Sequence, residues 1–103
     1  MKSIEVTDKN LDEVLSKEGL TVLDFWAPWC GPCRMVGPII DELAVNNEDV
    51  QVGKVNIDFN KASATRFGIR SIPCIIFFKD GKEVDKIVGV GPMGRLQEII
   101  DKH

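Results

Sequence analysis

Of the chain's three cysteines, Cys30 and Cys33 enclose Gly31-Pro32 as a C-x-x-C, and Cys74 stands far away. Two thiols at that spacing can close and reopen a disulfide. If Cys33 sits in the first turn of a helix, the Cα atoms lie roughly 5 Å apart, within the range that a disulfide tolerates. The ring so closed is too small to constrain an unfolded chain much, so it serves poorly as a staple. A bond that forms readily and stabilises little suits reversible chemistry. Free N–H groups and the positive end of the helix dipole favour a thiolate at Cys30. Cys33, one turn in, is expected to be more shielded and to act as the resolving thiol. The spacing also fits an inert buried pair or half of a zinc site. Zinc requires two further ligands, and only Cys74 and the terminal His103 remain. A metal or iron–sulfur centre on Cys30, Cys33 and Cys74 is a related alternative. The placement favours redox chemistry, because this C-x-x-C lies where an apolar strand hands over to a helix.

Other residues stand out against their surroundings. Asp24 interrupts the apolar run LTVLDFW (Leu20–Trp26). A carboxylate there is costly unless paired, solvated or protonated. Taken alone it fits a turn or edge position as well as a functional one. Lys54, by itself, reads as a solvated charge. Cys74 opens the run CIIFFK as a small side chain suited to packing.

The elements that must position these residues follow from the hydrophobic pattern. Ser3–Val6 reads as a short extended segment. Thr7-Asp8 caps a helix with Leu11, Val14 and Leu15 inward, ending at Gly19. Leu20–Trp26 is a strand buried on both faces. A helix from Gly31 or Pro32 carries Met35, Val36, Ile39, Ile40, Leu43 and Ala44 inward. Pro32 is tolerated in its first turn, and Pro38 should kink it. Val50, Val52, Val55 and Ile57 mark a strand whose alternation shifts at Gly53-Lys54. Asn60–Phe67 is a short helix closed by Gly68. Cys74–Lys79 and Lys82–Val88 are strands joined by an Asp80-Gly81 hairpin, and Met93–Lys102 is an amphipathic helix. The order βαβαβα followed by ββα predicts an α/β fold: a mixed sheet, parallel apart from one hairpin strand, with helices on both faces.

At 103 residues the chain fits a single domain over 1–103. Its 44% hydrophobic and 28% charged residues describe a globular protein. Thirteen basic against sixteen acidic side chains give a net charge of −3, with no basic stripe for nucleic acid. No apolar run reaches the roughly 18 residues of a membrane span, and MKSIEVTDKN has no secretory h-region. Those features predict a cytoplasmic location. No dinucleotide fingerprint or other cofactor motif is present, so no cofactor is expected.

The segment WAPWCGPC (Trp26–Cys33), followed in order by KVNID, GIRSIP and VGxxxxxxL, resembles the thioredoxin family from end to end. Gly31-Pro32 is the pair found in the reductases of that superfamily. The resemblance implies the thioredoxin fold and a monomeric protein dithiol–disulfide oxidoreductase that reduces disulfides in substrate proteins. A thioredoxin reductase would recycle it. Cys30 is then the nucleophile and Cys33 the resolving thiol. Asp24 matches the family's buried aspartate, a proton relay for Cys33, and Lys54 the lysine that modulates it; Gly31 and Pro32 tune the redox pair. By the same resemblance Ile72–Pro73 is a cis peptide. Trp29, Ile72, Pro73, Val88, Gly89 and Val90, with Gly31 and Pro32, form an apolar substrate-binding rim. The backbone beside Pro73 is left free to pair with an extended segment. Trp26 and Pro38 are structural. The departure is Cys74, where the family most often has threonine: a packing residue, or a modulatory thiol able to influence Cys33. A non-catalytic docking module using the same rim is the remaining alternative class.

Overall fold

The computed structural model describes residues 2–103. Its elements, in chain order, are β1 (Ile4–Glu5), α1 (Leu11–Leu15), β2 (Leu20–Trp26), α2 (Gly31–Asn46), β3 (Gln51–Asn56), α3 (Lys61–Arg66), β4 (Cys74–Lys79), β5 (Lys82–Val88) and α4 (Met93–Lys102). The strands form one sheet in the order β1-β3-β2-β4-β5. β1 and β2 pair with β3 in parallel, and β4 pairs antiparallel with both β2 and β5.

The mixed sheet with helices on both faces is the expected architecture, and the hairpin strand that runs against the rest is β4. The connection after β3, through α3, brings the chain back into the sheet at the end where β3 finished. Cys74 accordingly starts beside Phe25, at the end where β3 has just finished against Trp26. Asp80 and Gly81, with φ of 51° and 82°, then close the hairpin.

Alternation sends the strand side chains to two cores. Val22, Val52, Ile75 and Phe77 pack under α2 and α4 with Val36, Ile40, Leu43, Leu96 and Ile99. Leu23, Phe25, Val55, Ile76 and Phe78 pack on the opposite face with Leu11, Val14 and Leu15 of α1. Burying each such side chain contributes about 1.5–3 kcal/mol, so both faces of β2 resist any change of register.

Three local expectations need correction. Gly53-Lys54 does not shift the alternation: β3 pairs without interruption, with Val52 and Val55 on opposite faces. A strand buried on both sides only looks irregular when read for a single apolar face. α1 ends at Leu15, before Gly19. Met35 is exposed, because it falls between the buried positions Cys33 and Val36 on the outer side of α2. Pro38 stands inside α2 without ending it.

Candidate active site

β2 delivers the chain to the site. After Trp26, the N–H of Cys30 donates to the carbonyl of Ala27 at 3.1 Å, turning the backbone into α2. Cys30 is the N-cap of α2, and its Sγ accepts from the Cys33 N–H at 3.2 Å. A sulfur there takes a hydrogen bond from one of the free amides of the first turn, which favours a thiolate when the pair is reduced. Cys30 and Cys33 form a disulfide with Cα atoms 5.3 Å apart. Both residues are only 5% exposed, so shielding does not distinguish them. Their surroundings do.

On the Cys30 side the environment is apolar and open. Cys30 Sγ lies 3.8 Å from the Ile72 carbonyl oxygen. Ile72–Pro73 is a cis peptide, and Pro73 is buried at the head of β4. The Pro73 carbonyl accepts from the Gly89 N–H at 2.8 Å. Gly89 has φ of +95°, where a side chain would be strained, and it lies between exposed Val88 and Val90. Trp29 is 67% exposed, and its indole Nε1–H donates to Asp58 at 3.2 Å. Gly31 and Pro32 are exposed beside it. Asp58 was not foreseen as a site residue, although it closes the KVNID segment.

The Cys33 side is charged. Asp24, Trp26, Pro28, Cys33, Arg34, Gly37 and Lys54 line a cavity of about 240 Å³. Asp24, in the middle of β2, is 1% exposed, and its Oδ1 has no hydrogen-bond partner. Burial pushes its pKa from 3.8 to about 7, against the pull of Lys54 and with the help of Asp41. Lys54 is its direct neighbour on β3, but the ammonium bonds Asp41 of α2 at 3.0 Å. Lys54 is therefore a paired group and not a solvated charge.

Cys74 lies apart from both sides. It is buried and free, in the core that holds Phe25, Ile76 and Phe78, whereas Cys30 and Cys33 cluster with Ala27. Burial pushes its thiol pKa up. Among the described residues, no three or more His, Cys, Asp or Glu side chains are grouped to hold a metal ion. No helix among them is long and apolar enough to cross a membrane.

The family model of the thioredoxins matches residues 2–102. The chain belongs to the thioredoxin family. Thioredoxin 1 of Synechococcus elongatus is 50% identical over 100 residues, covering 95% of this chain and 94% of that one. The thioredoxin of Staphylococcus haemolyticus is 44% identical over 104 residues, covering 100% and 99%. Thioredoxin 1 of a Nostoc species is 48% identical over 101 residues, covering 96% and 94%. With a cysteine pair closed as a disulfide at a helix start, this thioredoxin-family chain is a dithiol–disulfide oxidoreductase.

Proposed function

We propose that the chain, acting as a single domain and a monomer, reduces disulfides in substrate proteins by a two-step thiol exchange. The Cys30 thiolate attacks one substrate sulfur and releases the other as a thiolate, leaving a mixed disulfide. The Cys33 thiol gives its proton to Asp24, directly or through water in the cavity. Its thiolate then attacks Cys30 Sγ, closes the Cys30–Cys33 disulfide and frees the reduced substrate. Two electrons have moved to the substrate, and a reductase returns them by the same exchange. Asp24 suits the proton step because its environment tunes its pKa to about 7. Trp29, Gly31, Pro32, Ile72, Pro73, Val88, Gly89 and Val90 form the surface that meets the substrate, with Ile72 offering backbone beside Cys30. Gly31, Pro32 and Lys54 tune the pair. Cys74 is a packing residue. The similarity to bacterial thioredoxins suits a cytoplasmic setting.

The observation that carries this reading is Cys30 at the N-cap of α2, its sulfur bonded to the Cys33 amide and facing an open apolar rim. The test is reduction of a model protein disulfide with dithiothreitol as donor. The chain should accelerate it, and Cys30→Ser should return it to the rate of the donor alone. Cys33→Ser should instead accumulate a mixed disulfide through Cys30, visible by mass. A Cys30→Ser chain that turns over normally would overturn the assignment.

A further inference from the structure

The lysine beside the buried carboxyl is held by a different acid. Asp24 and Lys54 are cross-strand neighbours, yet Asp24 Oδ1 has no hydrogen-bond partner. Lys54 Nζ instead bonds Asp41 Oδ1 at 3.0 Å. Ser3 Oγ–H donates to that same oxygen at 2.8 Å, tying Asp41 to the segment that leads into β1. Against the burial that opposes it, hydrogen bonds from Lys54 and Ser3 hold Asp41 below its ordinary carboxylate range. Asp41 is therefore a settled anion.

The helix geometry explains how the lysine gets there. Cys33, Gly37 and Asp41 follow one another at i, i+4 and i+8 along one face of α2. The resolving thiol stands at one end of this row and the anion at the other. Lys54 passes directly over Gly37 between them: a Cβ added there would lie 3.8 Å from Nζ, in ordinary van der Waals contact. The groups facing Asp24 are few. β3 presents Lys54, α2 presents Cys33, Arg34 and Asp41, and the β4 neighbour is apolar Ile75. Arg34 donates to the Pro28 carbonyl at 3.2 Å.

We propose that Asp41 is a positioning residue for thiol exchange: by holding the Lys54 ammonium along α2 it keeps that cation from pairing with Asp24, and so leaves Asp24 free to take the proton of Cys33. The proposal rests on the reading of Asp24 as proton acceptor. Without Asp41, Lys54 is released toward the nearest unpartnered anion, the Asp24 carboxylate. A cation that moves within hydrogen-bond range of a carboxylate favours its charged form.

The test is a carboxyl ¹³C NMR titration of Asp24 in the reduced full chain, the signal assigned by its loss in Asp24→Asn. Asp41→Asn should lower the Asp24 midpoint by about one pH unit or more. In a Lys54→Met background the same substitution should lower it by less than about a third of that amount, because the group being positioned is gone. A midpoint unchanged or raised in Asp41→Asn would overturn the proposal, as would an equal fall with and without Lys54. The underlying reading fails separately. If Asp24→Asn leaves the pH profile of mixed-disulfide resolution unchanged, Asp24 is not the acceptor, whatever its midpoint does.

Discussion

The two flanks of the Cys30–Cys33 disulfide are built from opposite materials. Toward Cys30 lie exposed apolar and backbone groups: Trp29, Val88, Gly89 and Val90 around the Ile72 carbonyl. Toward Cys33 lie a buried carboxyl, a lysine and a second acid around a small cavity. Both sulfurs belong to equally buried residues, so exposure does not assign their roles. What differs is what each flank can do. The apolar flank can accept a protein surface and exclude water from the attacked disulfide, and the acid beside it, Asp58, is engaged by the Trp29 indole. The charged flank can hold a proton near neutral pH, but its cavity of about 240 Å³ is too small to seat a protein segment. On the proposed reading, attack and resolution fall to two residues whose Cα atoms lie 5.3 Å apart.

The sharpest way to break this division is Asp24→Asn. General acid–base assistance is worth about 10²–10⁴-fold, so resolution of the mixed disulfide should slow by about a hundredfold near pH 7. The first attack by Cys30 should change far less. The same substitution has a stability signature of fixed sign. Burial raises the Asp24 pKa from 3.8 to about 7, so across that interval the folded chain holds a proton the unfolded chain has released. Stability therefore falls as pH rises from about 4 to 7 and stays low above, by a total of order 4 kcal/mol. Asp24→Asn removes that loss, and urea unfolding should find it more stable than the parent at pH 8 by a few kcal/mol, with the gain vanishing near pH 4. Equal stability differences at both pH values would mean that Asp24 is ionised in the fold.

The apolar flank is probed by a substitution that leaves the charges alone. Gly89→Val places a β-branched side chain where φ is +95°, disturbing the strip beside Pro73 that a substrate backbone must approach. The loss should fall on protein substrates, with kcat/KM down about tenfold, the cost of roughly 1.4 kcal/mol of binding. Reaction with a small dithiol, which needs no extended contact, should stay within about twofold. A parallel loss with both substrates would assign Gly89 to holding the disulfide and not to docking.

How much of this was legible in the sequence divides along the same line. The apolar patterns of Leu20–Trp26, Cys74–Lys79 and Met93–Lys102 marked elements whose bounds the structure repeats, because burial on one or both faces writes itself into residue type. The C-x-x-C and the oddity of Asp24 were visible for the same reason: each contradicts its surroundings. Asp41 contradicts nothing. An acid on the outer half of an amphipathic helix is ordinary, and only the Cys33–Gly37–Asp41 spacing hinted that it shares a face with the resolving thiol. Its partner lies on β3, and that pairing is tertiary. The direction of β4 was hidden too, since it is set by where the chain re-enters the sheet after α3 and not by the pattern of either strand.

Cys74 gives the smallest expected effect and tests whether the division is complete. It sits directly after the cis peptide, one residue from the rim, yet its side chain enters the core opposite to the one that α2 covers. A thiol there makes no contact with the disulfide cluster, although the Asp24 charge still reaches it through the sheet. Burial holds it in the neutral form by raising its pKa, and a neutral thiol is a poor nucleophile. Cys74→Thr should leave the dithiol–disulfide equilibrium against glutathione within about threefold of the parent, equivalent to about 15 mV for a two-electron couple. The new hydroxyl should instead cost about 1 kcal/mol of stability, as a polar group placed in an apolar core. A shift of the exchange equilibrium by tenfold or more would show that the face behind β4 communicates with the disulfide. The site would then have three flanks and not two.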